Sequence, residues 1–347
     1  MATMRDVANK AGVSIATVSA VINGGVNVSD TLTKRVQDAI KDVGYRPNIV
    51  ARSLKTGGTK TLVCIVPGII NPIYAEIAQS IEVFANANGY AVFLCNAQED
   101  SKLQRKYLHL ARSMQVAGGI IIPAAEKDLD VQQLQQDLGA PLVVVDRAPV
   151  DDVIDSVVVD NFEAAERAVT LLISLGHRRI GAIASYPLST TSLQRIGGYE
   201  SAMAKAGLST DGLIRQNCST VERAKSAVCE LMKSDQRPTA LFATYEHAGM
   251  GIVQGLNSLG LSYPKDVSFI TFDGGAWADA LHPSITRVRQ PTDYMGREAV
   301  RLVLERIESK SELPTRRLVL ATEFVVKDSC AAHVTRPQTV SPGQTTP

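Results

Sequence analysis

A row of short side chains between residues 14 and 23 has the chemistry needed to read double-stranded DNA. The row combines hydroxyl and amide groups with small apolar groups: Ser14, Ile15, Ala16, Thr17, Ser19, Ala20 and Asn23. Hydroxyl and amide groups bind phosphate oxygens, whereas small apolar groups contact thymine methyls in the major groove. The pattern therefore predicts a DNA-reading surface.

Three short helices are needed to position this row. Thr3 with Asp6 has the spacing of a capping box, and Ser14 and Ser29 can cap the second and third helices. Gly12 lies in a three-residue turn between the first two. Two helices joined in this way form a helix-turn-helix, whose second helix enters the major groove. A three-helix scaffold without a DNA role is the alternative.

Charge and composition agree with a globular protein that has a polyanionic partner. Residues 1–60 contain 9 Lys and Arg against 4 Asp and Glu, whereas the 347-residue chain contains 36 against 35. The length predicts two or three domains. No apolar run reaches the ~18–20 residues of a membrane span, and the first residues lack an export signal. We therefore expect a cytoplasmic protein without a membrane partner.

Motifs of enzymes and metal sites are missing or incomplete. The run Gly249-Met-Gly-Ile-Val-Gln-Gly255 is one residue longer than the dinucleotide-binding fingerprint, and helix-packing glycines explain it better. The chain has no Gly-x-Ser-x-Gly, Walker loop or His-x-x-x-His, and its five cysteines are scattered. We expect no enzyme activity, no catalytic residue, no cofactor and no bound metal.

The remainder of the chain alternates apolar runs with amphipathic segments, as repeated βαβ units do. The apolar runs cover residues 62–66, 91–95, 118–122, 142–145, 157–159, 180–183, 240–243 and 267–272. This repetition predicts doubly wound parallel sheets of the α/β class. Because ligands bind outside the carboxyl ends of such strands, a cleft between two sheets is the expected ligand site.

Several ordered motifs resemble the LacI/GalR family of bacterial transcription regulators. They include Arg5-Asp-Val-Ala, Ala16-Thr-Val-Ser, Gly44-Tyr-Arg-Pro-Asn, Ala51-Arg-Ser-Leu-Lys and Leu175-Gly-His-Arg-Arg-Ile180. The resemblance covers about residues 2–330. It implies an N-terminal helix-turn-helix three-helix domain followed by a two-lobed doubly wound domain like that of type I periplasmic binding proteins.

The resemblance also implies domain boundaries. The helix-turn-helix domain would span 1–46, a hinge helix and linker 47–60, and the effector-binding domain 61–330. Within the latter, the N-lobe would take about 61–160 and 291–322, and the C-lobe about 161–290 and 323–330. A return helix is expected near 292–309, and residues 331–347 are predicted to be disordered because they are rich in Thr, Pro, Gln and Ser.

For DNA, the resemblance implies base reading by Ile15, Ala16 and Ala20. Ala20 stands where Arg or His is usual, so we expect a shifted operator sequence. The further contacts expected are Thr3, Ser29, Tyr45, Asn48, Arg52, Leu54 and Lys55.

Leu54 would wedge into a central step of the minor groove, or it packs within the hinge helix. Replacing Leu54 with Ala is expected to weaken operator binding and to preserve effector binding. Unchanged operator affinity in a binding assay would exclude the wedge.

For the effector, the resemblance implies contacts in the cleft at Ile73, Tyr74, Asp146, Arg147, Asp160, Ser189, Thr191, Arg195, Tyr245, Glu246, Asp273 and Trp277. Arg195 and Asp273 are the leading candidates. Asp146 and Asp160 could instead orient Arg195, and Trp277 could serve lobe packing. Tyr245-Glu246 replaces the usual Asn-Asp pair, and Ser189 stands where purine-sensing relatives have a basic residue. A sugar, a sugar acid or a small carboxylate is expected.

The sequence thus predicts a transcriptional repressor that binds a palindromic DNA operator as a homodimer. A small-molecule effector in the cleft would control it through a population shift between two states. The alternative is a small-molecule-binding protein without a DNA role.

Overall fold

The computed structural model describes residues 2–22, 28–45, 59–124, 129–149, 151, 153–187, 189–309 and 311–333. The chain divides into two compact units, Met1–Thr59 and Lys60–Pro347. No helix in the described residues is long and apolar enough to cross a membrane.

The described residues of the first unit form three helices, as predicted. They are α1 (Met4–Ala11), α2 (Ile15–Ile22) and α3 (Asp30–Asp42). Their shared core consists of Val7, Ala8, Ala11, Val18, Val36 and Ala39. The turn between α1 and α2 is held by Arg35, whose Nη2 donates to the Gly12 carbonyl at 3.2 Å. Gly12 itself has φ +61°, a conformation that favours glycine.

A side-chain cap explains where α1 begins, but no such cap begins α3. Thr3 Oγ1 accepts from the Asp6 backbone N–H, and the Asp6 carboxylate accepts from the Thr3 backbone N–H at 2.8 Å. This reciprocal pair is the predicted capping box. Ser29 precedes α3 as expected, but the prediction of a side-chain cap was wrong. Only its carbonyl is used there, accepting from the Thr33 backbone N–H at 2.9 Å.

The second unit is an α/β domain with two six-stranded sheets. The strands are β1 (Thr61–Val66), β2 (Ala91–Asn96), β3 (Gly118–Ile121), β4 (Leu142–Val145), β5 (Ser156–Val159), β6 (Ile180–Ile183), β7 (Ile214–Arg215), β8 (Ala240–Ala243), β9 (Ser268–Phe272), β10 (Arg287–Arg289), β11 (Arg317–Leu320) and β12 (Glu323–Val325). The helices are α4 (Pro72–Ala87), α5 (Ser101–Ser113), α6 (Val131–Leu138), α7 (Asn161–Ser174), α8 (Thr190–Lys205), α9 (Val221–Met232), α10 (Glu246–Ser258), α11 (Gly275–Ala280) and α12 (Thr292–Glu308).

The two sheets have equivalent strand orders and differ in the direction of one edge strand. Their strand orders are β11-β5-β4-β3-β1-β2 in the N-lobe and β12-β10-β9-β8-β6-β7 in the C-lobe. All neighbours are parallel except β10 and β12. β4 of the N-lobe therefore occupies the same place as β9 of the C-lobe. All eight predicted apolar runs coincide with strands, whereas the short strands β7, β10, β11 and β12 were not predicted.

The chain passes between the lobes three times, near residues 160, 290 and 321. Two of these crossings are joined by Asp160, whose carboxylate accepts from the Thr322 backbone N–H and from Arg167 Nη2, both at 2.8 Å. The Asp160 backbone N–H donates to the Leu320 carbonyl. After the last crossing, β12 adds to the C-lobe sheet.

The chain stays ordered slightly beyond the predicted end of the domain. The Ala331 backbone N–H donates to Ser268 Oγ at 3.0 Å, and the His333 backbone N–H donates to the Leu175 carbonyl at 2.7 Å. The His333 ring stacks on His177. The prediction of disorder from 331 onward was therefore wrong for residues 331–333, and residues 334–347 lie outside the described part.

Glycines of the run 249–255 pack helices together, as the sequence suggested. A Cβ atom on Gly251 would lie 2.4 Å from the Ala224 Cβ atom, and one on Gly255 would lie 2.8 Å from Val228 Cγ1. These glycines allow α10 to approach α9 closely. The run serves packing at these two positions.

Candidate nucleic-acid interface and ligand cleft

The start of helix α2 exposes the first residues of the predicted DNA-reading row, Ser14, Ile15 and Ala16. Ile15 is 44% exposed and Ala16 is exposed, whereas Val18 on the opposite face is fully buried. Ser14 Oγ accepts from the Thr17 backbone N–H at 3.1 Å and caps the helix. The outer face therefore combines an ordered helix N-terminus with small side chains, which suits close approach to a groove.

The other predicted DNA contacts vary in their surroundings. Ser19 and Ala20 are half-buried on α2. Thr3 Oγ1 donates to the Asp6 carboxylate, and Tyr45 packs against the three-helix core. Together with Ser29 these positions stay predictions. Five further predicted contacts lie outside the described residues: Asn23, Asn48, Arg52, Leu54 and Lys55.

A cavity of about 150 Å³ lies between the lobes at the carboxyl ends of the strands. One water molecule needs about 10–15 Å³ of such space, so the cavity holds on the order of ten non-hydrogen atoms. Eight of the predicted effector contacts line it: Ile73, Tyr74, Asp146, Arg147, Thr191, Arg195, Tyr245 and Asp273. The cavity therefore suits a small polar molecule.

Arg195 enters the cavity from α8. Its Nε donates to Asn161 Oδ1 at 2.7 Å, its Nη1 donates to the Thr244 carbonyl at 2.8 Å, and its guanidinium lies 3.8 Å from the centre of the Phe272 ring. Nη2 has no hydrogen-bond acceptor within the described residues. Since the side chain is almost fully buried, this donor is positioned for a ligand.

Two carboxylates face the cavity from equivalent strands. Asp146 follows β4 and Asp273 follows β9, and both have left-handed backbones, with φ +64° and +61°. Such angles are costly for residues other than glycine and place these side chains at the sheet edge. Gln290 Nε2 donates to both Asp273 oxygens, at 3.1 and 3.0 Å. The Asp146 carboxylate has no hydrogen-bond donor within the described residues.

Burial controls the protonation of these carboxylates. It raises the pKa of Asp146 against the opposing effect of Arg195 and Arg147. Burial also raises the pKa of Asp273 to about 6, although Arg195 and the Gln290 hydrogen bond act to lower it. These buried carboxylates are therefore poorly compensated within the protein, and hydroxyl donors from a ligand would stabilise them.

Arg147 forms its hydrogen bonds with other residues of the protein. Its two terminal nitrogens donate to the two Glu99 oxygens at 2.8 Å each. The same nitrogens also donate to the Pro123 carbonyl at 3.1 Å and to the Tyr74 hydroxyl at 2.8 Å. The Arg147 side chain is 93% buried, and the pair that it forms with Glu99 lines the cavity.

Four predicted effector contacts do not line this cavity. Asp160 joins two interlobe crossings, as described above. Ser189 Oγ is buried and forms a hydrogen bond with Thr191 Oγ1 at 2.8 Å. Glu246 and Trp277 bond to each other, with Trp277 Nε1 donating to Glu246 Oε1 at 2.6 Å. These positions connect elements around the cleft, which sequence spacing does not distinguish from lining it.

Sequence reasoning missed several lining residues, among them Asn71, Glu99, Tyr186, His247 and Gln290. Gln290 and Glu99 follow strands β10 and β2, so the rule that ligands bind at carboxyl strand ends could have found them. β10 was not predicted from the sequence because its residues, Arg-Val-Arg, form no apolar run.

A larger surface hollow of about 760 Å³ lies near α6 and the loop after α12. It is lined mainly by glutamine, serine and small residues, and its one guanidinium, Arg306, is bound to Asp155 at 2.7 Å. Of these two, the interlobe cavity is the better candidate for the ligand site. Its lining includes the Asp146 carboxylate and Arg195 Nη2, both unpaired within the described residues.

Protonation of Glu246 gives a testable pH effect. Burial, together with the charge of Asp273, raises the pKa of Glu246 to about 7, although the Trp277 hydrogen bond lowers it. The unfolded chain releases this proton near its ordinary pKa of 4.5, so the folded state gains stability as the pH falls from about 8 to 5. Between these pH values the free energy of unfolding of Glu246→Gln should change by on the order of 3 kcal/mol less than that of the wild type.

Thermal melts of the wild type and Glu246→Gln between pH 5 and 8 measure the difference. The exposed Glu163→Gln is the control variant. An identical pH slope in the wild type and Glu246→Gln would contradict the effect.

A helix-turn-helix unit followed by a two-lobed domain with a polar interlobe cavity is the architecture of a ligand-controlled DNA-binding regulator. Comparison with known proteins agrees. Residues 59–327 match the periplasmic binding proteins and sugar-binding domain of the LacI family, and residues 3–48 match the bacterial regulatory proteins of that family.

Individual relatives extend over nearly the whole chain. The transcriptional regulator RegA of Clostridium saccharobutylicum is 34% identical over 95% of this chain and 99% of its own. The transcriptional repressor PurR of Glaesserella parasuis is 33% identical over 95% and 98%. The chain belongs to the LacI family of bacterial regulatory proteins and is a DNA-binding transcriptional regulator.

Solved structures share the fold. A complex of the transcriptional regulator CelR with cellobiose is 29% identical and aligns with a TM-score of 0.72 over 95% of this chain and all of that one. The lac repressor dimer bound to operator and the anti-inducer ONPF aligns with a TM-score of 0.83, at 21% identity, over 95% and 99%.

Proposed function

We propose that this protein is a repressor that binds a palindromic operator as a dimer and responds to a neutral, polyhydroxylated effector in the interlobe cavity. The observation that carries the effector class is the charge of the cavity. Its lining combines the carboxylates Glu99, Asp146 and Asp273 with the guanidiniums Arg147 and Arg195. The lining is not net positive, so it does not favour an anion.

The available hydrogen-bonding groups fit a sugar. Arg195 Nη2 is a donor, and the carboxylates of Asp146 and Asp273 are acceptors on the opposite lobes. Hydroxyl groups both donate and accept, so one polyol can satisfy all three groups. The rings of Tyr74 and Tyr245 add flat faces for the apolar side of a sugar ring. The CelR–cellobiose complex supports this choice over a sugar acid or carboxylate.

Control of DNA binding would follow from lobe closure. Asp146 lies on the N-lobe, whereas Asp273 and Arg195 lie on the C-lobe, so a ligand bound to all three favours the closed arrangement. Its affinity difference between open and closed states sets the size of the population shift. The three crossings between the lobes are short enough to act as hinges.

Dimer formation is supported by the N-lobe edge. β2 is an edge strand, and its Phe93 and Leu94 are 36% and 41% exposed. On the flanking helices α4 and α5, Val83 and Leu110 are 53% and 44% exposed. Exposed apolar side chains beside an open strand edge favour contact with a second copy. A symmetric dimer would present two recognition helices to a palindrome.

We further propose that the protein acts in the cytoplasm, where its operator lies, and that it has no enzyme activity. The lack of enzyme motifs such as Gly-x-Ser-x-Gly and the Walker loop in the sequence supports the proposal that the protein has no enzyme activity. No group of three or more metal-ligating side chains forms in the described residues.

Selection of bound sequences from random duplex DNA tests the function. It is done with the full chain at stated salt, alone and with neutral sugars, sugar acids, aromatic acids and purines. Enrichment of a palindrome that is lost with a neutral sugar is the expected result. Enrichment only in the presence of a compound would make that compound a co-repressor and overturn the proposed induction. No enrichment would favour a binding protein without a DNA role.

Substitution at Ala20 is expected to change which bases are read. Ala20 lies on α2 within the predicted row, and Ala20→Arg would supply two donors that can mark a guanine. One such pair discriminates by about 1–3 kcal/mol, so the selected half-site should gain a guanine preferred about 5- to 150-fold.

Repeated selection with the variant measures this preference. Ala87→Arg adds the same charge to an exposed position on α4 and serves as the control. An unchanged half-site in Ala20→Arg would remove this residue from the reading surface.

A further inference from the structure

The loop after β2 is shaped to deliver one carboxylate to the cleft. Gln98 and Glu99 both have left-handed backbones, with φ +54° and +55°. Two such residues in succession cost free energy unless they are glycine. The conformation is held by the Glu99 backbone N–H, which donates to the Pro67 carbonyl at 2.7 Å, and by the Asp100 backbone N–H, which donates to the Ala97 carbonyl at 2.9 Å.

The Glu99 carboxylate and two further acceptors use all the terminal donors of Arg147. A guanidinium has four terminal N–H donors. In Arg147 two of them reach Glu99, one reaches the Pro123 carbonyl and one reaches the Tyr74 hydroxyl, at 2.8–3.1 Å. The remaining donor, Nε, is buried without an acceptor in the described residues. Arg147 therefore lines the cavity but offers no terminal donor to a ligand.

Without Glu99, the same guanidinium would be an anion site. Its two free terminal donors would have the parallel arrangement that binds a carboxylate in two places. The position that a ligand carboxylate would take is the one that the Glu99 carboxylate already holds. A carboxylate from the ligand would also meet the charge of Glu99 itself.

We propose that Glu99 is a specificity-determining residue that excludes anionic effectors by occupying the anion-binding face of Arg147. This inference rests on the proposed function, because it concerns the effector cavity. It adds that neutrality of the ligand is enforced by one side chain. Removing that side chain should convert the cavity to one that accepts acids.

The test compares Glu99→Gly, which removes the side chain from Arg147 and suits the left-handed backbone, with the wild type as full-length proteins. D-galacturonate, D-gluconate and acetate are the anionic probes, and D-galactose and D-glucose are the neutral ones, at constant ionic strength. Thermal shift and calorimetry give the affinities. The ratio of acid to neutral affinity should rise at least tenfold in the variant, with acetate stabilising the variant more than the wild type.

Two further variants keep the result clear. Glu99→Gln removes the charge but keeps an amide oxygen that can accept from Arg147, so acid binding should rise less in it than in Glu99→Gly. In Glu99→Gly combined with Arg147→Gln, the gain in acid binding should disappear, because the site is lost.

Three outcomes would overturn the proposal. They are an unchanged ratio in Glu99→Gly, a gain that persists without Arg147, and a wild type that already prefers the acids. The gain in acetate binding depends on Arg147, so it is informative even if no sugar binds. Failure of the proposed function is seen separately, as absence of a selected operator or of any compound that releases it.

Discussion

Replacing Asp155 with alanine is expected to lower the free energy of unfolding of the two-lobed domain by about 3–5 kcal/mol. The Asp155 side chain is completely buried and pairs with Arg306 through two hydrogen bonds, at 2.7 and 2.8 Å. It also accepts from the Arg316 backbone N–H at 2.8 Å. Its removal leaves two guanidiniums beside a buried gap.

The pair of Asp155 and Arg306 attaches α12 and β11 to the rest of the N-lobe. Arg306 lies in the last turn of α12, and its guanidinium also donates to the Leu313 and Pro314 carbonyls. Asp155 directly precedes β5, which pairs with β11. Loss of the carboxylate therefore weakens the attachment of α12 and β11 to the N-lobe.

Chemical denaturation followed by circular dichroism measures the effect. The control is Glu298→Ala on α12, which removes an ion-pair partner from the exposed Arg301. It should lower the free energy of unfolding by less than about 1 kcal/mol. Equal losses in the two variants would contradict the assigned role of Asp155.

Acid should reproduce part of the same loss in the wild type. Burial acts to raise the pKa of Asp155, but the hydrogen bonds and charges of Arg306 and Arg316 outweigh it, so the pKa is below the ordinary 3.8. The unfolded chain binds the proton first as the pH falls. The stabilisation is therefore complete above pH 3.8 and disappears as the pH falls through the lower folded value.

The second large effect is expected at Arg195. Arg195→Met should weaken effector binding at least 100-fold, because charge-assisted hydrogen bonds contribute about 1.5–3 kcal/mol each and two carboxylates lose their compensating charge. The pKa values of Asp146 and Asp273 should rise further, since Arg195 lowers both.

Calorimetry with the compound that releases the wild type from its operator measures this loss. Arg297→Met removes a guanidinium that is 45% exposed on α12, and it should bind the compound normally. Affinity within threefold of the wild type in Arg195→Met would remove this residue from the proposed contact set. Retained operator binding by the variant would show that the DNA-binding unit is intact.

Much of the architecture could be predicted because it depends on local pattern. The capping box of Thr3 and Asp6, the apolar spacing of α1 to α3 and the eight apolar runs are all expressed over neighbouring residues. The strands β7, β10, β11 and β12 were not predicted because each contains a charged residue, unlike the eight predicted strands. β10 and β12 exist because each is held by a neighbour that is distant in sequence.

The candidate site could be predicted only in part. Asp146 and Asp273, which follow strands β4 and β9, were predicted from the family resemblance, and both line the cavity. Asp160 and Glu246 were predicted as contacts but are used to join elements around the cleft. Whether a side chain turns toward the cavity or toward a neighbouring element depends on backbone angles and packing, which spacing along the chain does not encode.

Residue order and type are enough to assign this chain a helix-turn-helix, a doubly wound two-lobed domain and its regulator family, because these depend on periodicity, caps and motifs. The charge of the cavity required the folded molecule. Glu99 and Arg147 are 48 positions apart, and only a left-handed loop after β2 brings their charged groups within 2.8 Å. That contact changes the inferred ligand from an acid or a sugar to a neutral sugar, since the arginine is already paired.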